Sequence, residues 1–117
     1  ALGHINNTVL PVWFEQGRHR IFKALHPAMS LNDWPIILAK ISVDFVAQIY
    51  FGEDVVIRTG IEKVGNTSVI VKHEAWQRDK LVARGDAVMV YFDYQSNKPT
   101  PIPLSVRERL APIMIEA

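Results

Sequence analysis

The chain has 117 residues, of which 49% are apolar and 21% charged, and its formal net charge is +1. This length and balance indicate one globular domain spanning residues 1–117, and the scattered charges argue against a nucleic-acid-binding or membrane-surface role. The absence of cysteine excludes disulfides, thiolate nucleophiles and cysteine-bound metals.

The first predicted element is a helix over about residues 10–25. Apolar or small side chains recur there close to a 3.6-residue period: Leu10, Trp13, Phe14, Gly17, Ile21, Ala24 and Leu25. Gly17 falls on this apolar face, where we expect a strand or another helix to approach closely. The opposite, exposed side is predicted to hold Arg18. We expect the helix to end at His26-Pro27, because the residue before proline disfavours helical dihedrals.

Four strands are predicted after the helix, because the apolar period changes to two from residue 36 onward. They cover about residues 36–50, 55–64, 67–76 and 81–94, and Gly65-Asn66 is typical of a hairpin turn. A loop over 95–103 and a short helix within 104–115, interrupted by Pro112, complete the chain. One helix followed by an antiparallel meander predicts an α+β domain whose sheet covers the helix.

The polar turn before the helix reads Gly3-His4-Ile5-Asn6-Asn7. We expect Thr8 to be the N-cap, which places Pro11 where a missing N–H costs no intrahelical hydrogen bond. The N–H groups of residues 7–10 then have no helical partner and favour negative charge. The glycine spacing does not fit a phosphate loop, and an oxyanion that forms during acyl transfer is one ligand that this turn could hold instead.

This opening resembles that of the hotdog-fold acyl-CoA thioesterases, in the branch related to 4-hydroxybenzoyl-CoA thioesterase. Phe14-Glu15-Gln16-Gly17-Arg18 and the tail Pro101-Ile102-Pro103-Leu104 also resemble family segments. The resemblance spans nearly the whole chain and implies a hotdog fold, a long central helix wrapped by an antiparallel sheet. It further implies hydrolysis of an acyl-CoA thioester to free acid and CoA. Relatives pair their sheets edge to edge, so a homodimer or homotetramer is expected.

One family feature is absent from the sequence. The family's catalytic aspartate stands three residues before the motif glycine, directly ahead of Ala1. Because the motif after the gap is intact, we expect this aspartate and its N-terminal strand to be missing from the given chain rather than lost. A different residue at that position would favour a hotdog protein that binds acyl-CoA without cleaving it. A thioesterase acting on acyl carrier protein is the other alternative, although no basic docking patch is evident.

The resemblance implies three catalytic candidates. Asn7 matches the position whose backbone N–H polarises the thioester carbonyl, and it also fits a simple helix-entry turn. His4 is either a general base or a residue that positions the turn. Glu15 has the spacing from Asn7 at which another hotdog branch carries its carboxylate, and it equally fits a structural partner of Arg18. Eight residues span about 12 Å of helix, so Glu15 and Asn7 would cooperate only across a dimer interface.

Five residues are expected to bind the substrate: Gly3, Trp13, Asn66, Thr67 and Ser68. Trp13 lines an acyl pocket or packs in the core. Residues 66–68 match a hairpin where some relatives bind the CoA nucleotide with basic side chains, which this chain lacks. A plain hairpin is the other interpretation of this stretch.

The sequence indicates neither a metal site, nor a cofactor, nor a membrane segment. The four histidines are dispersed without metal-ligand spacing, and His73 is expected to lie in the core or in a pocket. No stretch resembles a signal peptide or the ~20 apolar residues of a membrane span, so a cytoplasmic location is expected.

Overall fold

A computed structural model describes residues 9–27, 34–50 and 52–115. Three helices and five strands follow one another in the order α1 Val9–Gly17, α2 His19–Leu25, β1 Ile36–Phe45, β2 Val56–Val64, β3 Ser68–Gln77, β4 Lys80–Asp93, β5 Lys98–Pro99 and α3 Leu104–Leu110. A short 3-10 helix, Ala111–Ile113, comes after α3. The predicted α+β class is confirmed.

The strands form one antiparallel sheet in the order β1-β4-β3-β2, with β5 paired to the end of β4. Strands β2, β3 and β4 make the predicted meander through two tight turns. The predicted pairing of β1 with β2 is wrong, because β1 lies on the far side of β4. The ten residues between them, 46–55, allow the chain to cross the end of the sheet, whereas a hairpin turn would have forced adjacent pairing.

The predicted single helix is interrupted at Arg18, which separates α1 from α2. The Arg18 N–H is shared between the carbonyls of Phe14 and Glu15, each at 3.1 Å, and the Arg18 dihedrals are φ −79° and ψ −5°. This is a local tightening of the turn rather than a break in direction. It carries the Arg18 side chain under the helix, so the prediction that Arg18 lies on the exposed side is wrong.

The helices pack on one face of the sheet over two apolar clusters. The first joins α2 and α3 to the middle strands and contains Ile21, Leu25, Val69, Met89 and Leu110 among others. The second joins α1 to the other end of the sheet and contains Leu10, Phe14, Ile49, Ala75 and Ala83 among others. Burying one side chain of the size of Phe14 contributes roughly 1.5–3 kcal/mol, so these clusters fix the helices on the sheet.

Gly17 is the point of closest approach between α1 and the sheet. An ideal Cβ placed on Gly17 would lie 2.5 Å from Thr59 Oγ1 of β2. A real side chain at that distance would force the Thr59 side chain or the backbone to shift. The predicted close approach at Gly17 is therefore confirmed.

One predicted boundary is wrong. Strand β1 ends at Phe45, five residues early, because the regular pairing is lost after it. The Val46 and Ala47 N–H groups both donate to the Val82 carbonyl, at 2.9 and 3.1 Å, and Ile49 packs in the second cluster.

The predicted C-terminal helix and its interruption near Pro112 are confirmed, because α3 ends at Leu110 and Pro112 lies within the 3-10 helix that follows. The predicted end of the long helix before His26 is confirmed, because α2 ends at Leu25.

Strand β1 forms one edge of the sheet and is only partly covered by the helices. Leu38, Ile41 and Phe45 pair with buried residues of β4 and so share the helix-facing side, yet they are 45%, 47% and 50% exposed. An edge strand with an uncovered apolar face is a template for pairing with another chain.

Candidate active site

The residues predicted to begin the site, Gly3, His4 and Asn7, lie outside the described residues. The described residues begin with α1, the helix that the turn is expected to enter. Glu15 is exposed on this helix, and Trp13 is half-buried at the border of the second apolar cluster. Phe14 between them is buried and faces the sheet.

A buried polar cluster lies directly beneath α1. Arg18 and His73 are only 3% and 1% exposed, and an Arg18 Nη1 to His73 Nε2 hydrogen bond of 2.9 Å joins them. Thr59 Oγ1 lies 2.9 Å from His73 Nδ1. The Phe14 ring stacks on the His73 imidazole with 4.6 Å between centroids and 6° between planes. Helix and sheet are thus joined by polar as well as apolar contacts.

The chemistry of arginine fixes the tautomer of His73. A guanidinium has donors only, so His73 Nε2 must accept the Arg18 hydrogen bond and carry no proton. The single imidazole proton then sits on Nδ1, which donates to Thr59 Oγ1. His73 is therefore a neutral structural histidine, as its expected place in the core suggested, and not a free general base.

Burial and the adjacent Arg18 guanidinium both disfavour a charged imidazole, and they lower the pKa of His73 from 6.5 to about 4. Burial also lowers the pKa of Arg18, and the Glu15 carboxylate one turn earlier opposes that shift. Arg18 stays charged, since guanidinium pKa values are far above neutral. Its Nε is buried and has no hydrogen-bond partner among the described residues.

The predicted hairpin is present and is held by residues that the sequence did not point to. The Gly65 N–H donates to the Ser68 carbonyl at 2.7 Å, which closes the turn between β2 and β3. Arg107 of α3 donates from Nη2 to the carbonyls of Gly65 at 2.6 Å and Asn66 at 3.3 Å. The same side chain donates from Nε to the Ile102 carbonyl at 3.2 Å.

The hairpin and the start of α1 lie toward opposite ends of the sheet. Leu10 belongs to the apolar cluster that contains Ala75, whereas the hairpin adjoins Ser68 at the beginning of the same strand. The interval from residue 68 to 75 spans about 23 Å along a strand. Within one chain, the start of α1 and the hairpin are therefore well separated.

The sequence and this structure were compared with known proteins. The Thioesterase-like superfamily matches residues 1–110, which is most of the chain. The chain belongs to this superfamily. No curated protein matches it.

Solved structures of thioesterases share this fold. A predicted thioesterase from Bacillus stearothermophilus is 43% identical, with 98% of this chain and 86% of that chain covered and a TM-score of 0.90. A Thermus thermophilus thioesterase complexed with coenzyme A and Zn is 28% identical, with coverages of 92% and 84% and a TM-score of 0.78. A gentisyl-coenzyme A thioesterase is 27% identical, with coverages of 93% and 88% and a TM-score of 0.72. These matches confirm the hotdog fold.

Three further findings describe this thioesterase-like chain. Its described residues include no group of three or more His, Asp or Glu side chains that could hold a metal ion. Within the same residues, no helix is long and apolar enough to cross a membrane. Two basic side chains of the sheet and its turns form ion pairs, Lys72 with Glu62 at 3.8 Å and Arg78 with Glu53.

Proposed function

We propose that this chain hydrolyses acyl-CoA thioesters to a free acid and coenzyme A. The observation that carries the proposal is the match over nearly the whole chain to thioesterase structures, one of them crystallised with coenzyme A and another a gentisyl-coenzyme A thioesterase. The family resemblance supplies the reaction, and the hairpin described above supplies a surface suited to the coenzyme.

In the proposed reaction, a carboxylate takes a proton from water, whose oxygen attacks the thioester carbonyl. The backbone N–H of Asn7 donates to the oxyanion that forms, with a contribution of about 3 kcal/mol in the transition state. The C–S bond then breaks, and the coenzyme A thiolate leaves and takes up a proton. His4 and Gly3 belong to the turn that presents this N–H, and Trp13 borders the acyl group.

Two positions are candidates for the carboxylate: an aspartate directly ahead of Ala1, as in the resembling family, or Glu15. Glu15 is the one acidic residue in α1 and α2, and it is exposed rather than buried among activating groups. This exposure favours the aspartate. The same exposure favours a second proposed function, in which the chain binds acyl-CoA without cleaving it.

We propose that the complete site requires a second copy of the chain. The start of α1 and the hairpin lie toward opposite ends of one sheet, and a partner chain would complete the site at one of these ends. The uncovered apolar face of Leu38, Ile41 and Phe45 on edge strand β1 suits pairing with another β1. A homodimer is therefore the smallest assembly proposed, and a homotetramer fits equally well.

The test is thiol release from a panel of short, long and aromatic acyl-CoA substrates, with acyl carrier protein thioesters as a further arm. The 117-residue chain, its Glu15→Gln variant and a chain extended by an aspartate-bearing N-terminal strand are compared. Turnover that Glu15→Gln abolishes assigns the base to Glu15, and turnover that appears only in the extended chain assigns it to the aspartate. Coenzyme A binding without turnover in any of the three would contradict hydrolysis and support the binding protein.

A further inference from the structure

Arg107 directs three hydrogen bonds at backbone carbonyls and none of those observed goes to an acidic side chain. Its acceptors are Ile102, five residues earlier, and Gly65 and Asn66, about forty residues earlier. The Ile102 N–H adds a fourth link by donating to the Asn66 carbonyl at 2.9 Å. The β2–β3 hairpin is therefore fastened to α3 and to the loop before it through its peptide oxygens.

This fastening determines where the hairpin N–H groups point. The described peptide bonds are all trans, and in a trans peptide the carbonyl and the following N–H point in opposite directions. The Gly65 and Asn66 carbonyls face Arg107, so the N–H groups of Asn66 and Thr67 face the opposite side of the hairpin. Neither N–H has an acceptor among the described residues. Two adjacent free N–H groups on one side make a place for a phosphate oxygen.

The hairpin sequence does not hold this arrangement by itself. Glycine and asparagine both tolerate several backbone conformations, so the peptides of Gly65 and Asn66 are free to rotate when nothing holds their oxygens. The guanidinium holds both oxygens from one side chain, because its donors are fixed in a planar fork. It also places a positive charge behind the hairpin, while the half-buried position of Arg107 keeps it in contact with the carbonyls.

We propose that Arg107 is a positioning residue for substrate binding, which holds the N–H groups of Asn66 and Thr67 toward a phosphate of coenzyme A. This inference rests on the proposed function for its ligand and adds the residue that prepares the site. Arg107 touches the hairpin backbone and not the coenzyme. The phosphate is either the 3′-phosphate of the coenzyme or its pyrophosphate, and the experiment separates the two.

The test compares Arg107→Gln with Arg109→Gln by calorimetric titration of coenzyme A, dephospho-coenzyme A and pantetheine. Arg109 is a matched control, since it lies on the same helix, carries the same charge and donates to a carbonyl, that of Ala24 at 2.7 Å, away from the hairpin. Arg107→Gln is expected to weaken coenzyme A binding about tenfold, the effect of losing two such N–H contacts. Arg109→Gln is expected to change it less than twofold, the scatter of surface charge effects.

The two shortened ligands locate the phosphate. A tenfold loss for coenzyme A that vanishes with dephospho-coenzyme A assigns the 3′-phosphate, and a loss that persists there but vanishes with pantetheine assigns the pyrophosphate. Equal weakening by both arginine variants, or none by either, would overturn the proposal. So would equal weakening of pantetheine, because a merely structural role would affect every ligand alike.

A second measurement keeps the proposal falsifiable if Arg107→Gln does not fold. In the unaltered chain, the Asn66 and Thr67 amide resonances are expected to shift downfield when coenzyme A is added and to stay in place with pantetheine. If the chain binds coenzyme A but the Asn66 and Thr67 amide resonances do not shift, the proposed role of Arg107 is overturned. The proposed hydrolysis is not affected by that result. Conversely, if these resonances shift but the chain releases no thiol from acyl-CoA substrates, hydrolysis is refuted and the phosphate-binding role stands.

Discussion

The Arg18 guanidinium and the His73 imidazole lie 2.9 Å apart between Nη1 and Nε2, both almost fully buried beneath α1. A cation thus sits against a neutral acceptor in the centre of the domain, with Phe14 stacked on the ring that accepts from it. The pair links the end of α1 to strand β3 and so helps to seat this helix on the sheet. The first two predictions follow from this contact.

Acid should weaken the fold through His73. Its pKa is about 4 in the folded chain and 6.5 when unfolded, so between these values the unfolded state binds more protons. Stability is therefore expected to fall as pH drops from 6.5 to 4 and to level off below, with a total loss of at most about 3 kcal/mol. Urea unfolding at a series of pH values, for the unaltered chain and for His73→Gln, isolates the contribution of His73 to the pH dependence of the free energy of unfolding. Identical pH profiles of the two proteins would contradict it.

Removing both partners of the Arg18–His73 pair should cost less stability than the sum of the two single removals. Arg18→Met leaves the buried Nε2 acceptor unpaired, and His73→Phe leaves a buried cation with no acceptor, so each is expected to lose about 1–3 kcal/mol or more. The double variant restores apolar packing against Phe14 and should lose less than the sum of the singles. A double-mutant cycle from urea unfolding measures this coupling, and additive losses would show that the two side chains act independently.

Gly17→Ala should destabilise the chain although alanine favours helices by about 1 kcal/mol. The new methyl group would meet Thr59 Oγ1, the group to which His73 Nδ1 donates, so the substitution disturbs the polar cluster as well as the packing. A Thr59→Ala background lacks the obstructing oxygen, so Gly17→Ala should reduce the stability less in that background. Thermal unfolding of the four proteins gives the comparison. An equal cost in both backgrounds would mean that the oxygen is not the obstacle.

The β3–β4 turn offers a stabilising substitution. Arg78 and Asp79 both have φ of 56°, in the left-handed region that non-glycine residues adopt at a cost of about 1–2 kcal/mol. Asp79→Gly is expected to raise stability by about 0.5–1 kcal/mol after the entropic cost of glycine. Arg78→Gly is the matched comparison and should give no gain, because it also removes the ion pair with Glu53 and the contact with the Tyr50 ring. Differential scanning calorimetry distinguishes the two, and a gain from both would show that the Arg78 contacts add nothing.

Local signals in the sequence were sufficient to locate the helical stretches and four of the five described strands. The change of period located the helix and four strands, and a glycine on the apolar face of the helix located its contact with Thr59. A histidine among apolar strand residues was rightly expected to be buried. These features depend on residues within one or two turns or on simple alternation, which a single sequence displays directly.

The remaining features depend on partners far apart in the chain. No period indicates that β1 pairs with β4 instead of β2, since both arrangements bury the same faces. Arg18 is buried because His73, 55 residues later, accepts from it. Arg107 looked like an ordinary charge on a short helix, and its acceptors are peptide oxygens of residues 65 and 66, which any sequence would provide. The predicted roles of Gly3, His4 and Asn7 remain predictions.

The pairing of β1 with β4 has a consequence for how the chain is built. During synthesis β1 emerges well before β4, its strand neighbour in the described sheet, while β2, β3 and β4 are joined by short turns and can pair as each appears. Contacts distant in sequence form more slowly than local ones, so we expect amides of β2–β4 to gain protection from hydrogen exchange before those of β1 in pulse-labelled refolding. A nascent chain would therefore carry the apolar face of Leu38, Ile41 and Phe45 without a neighbour until almost the whole sheet has been translated.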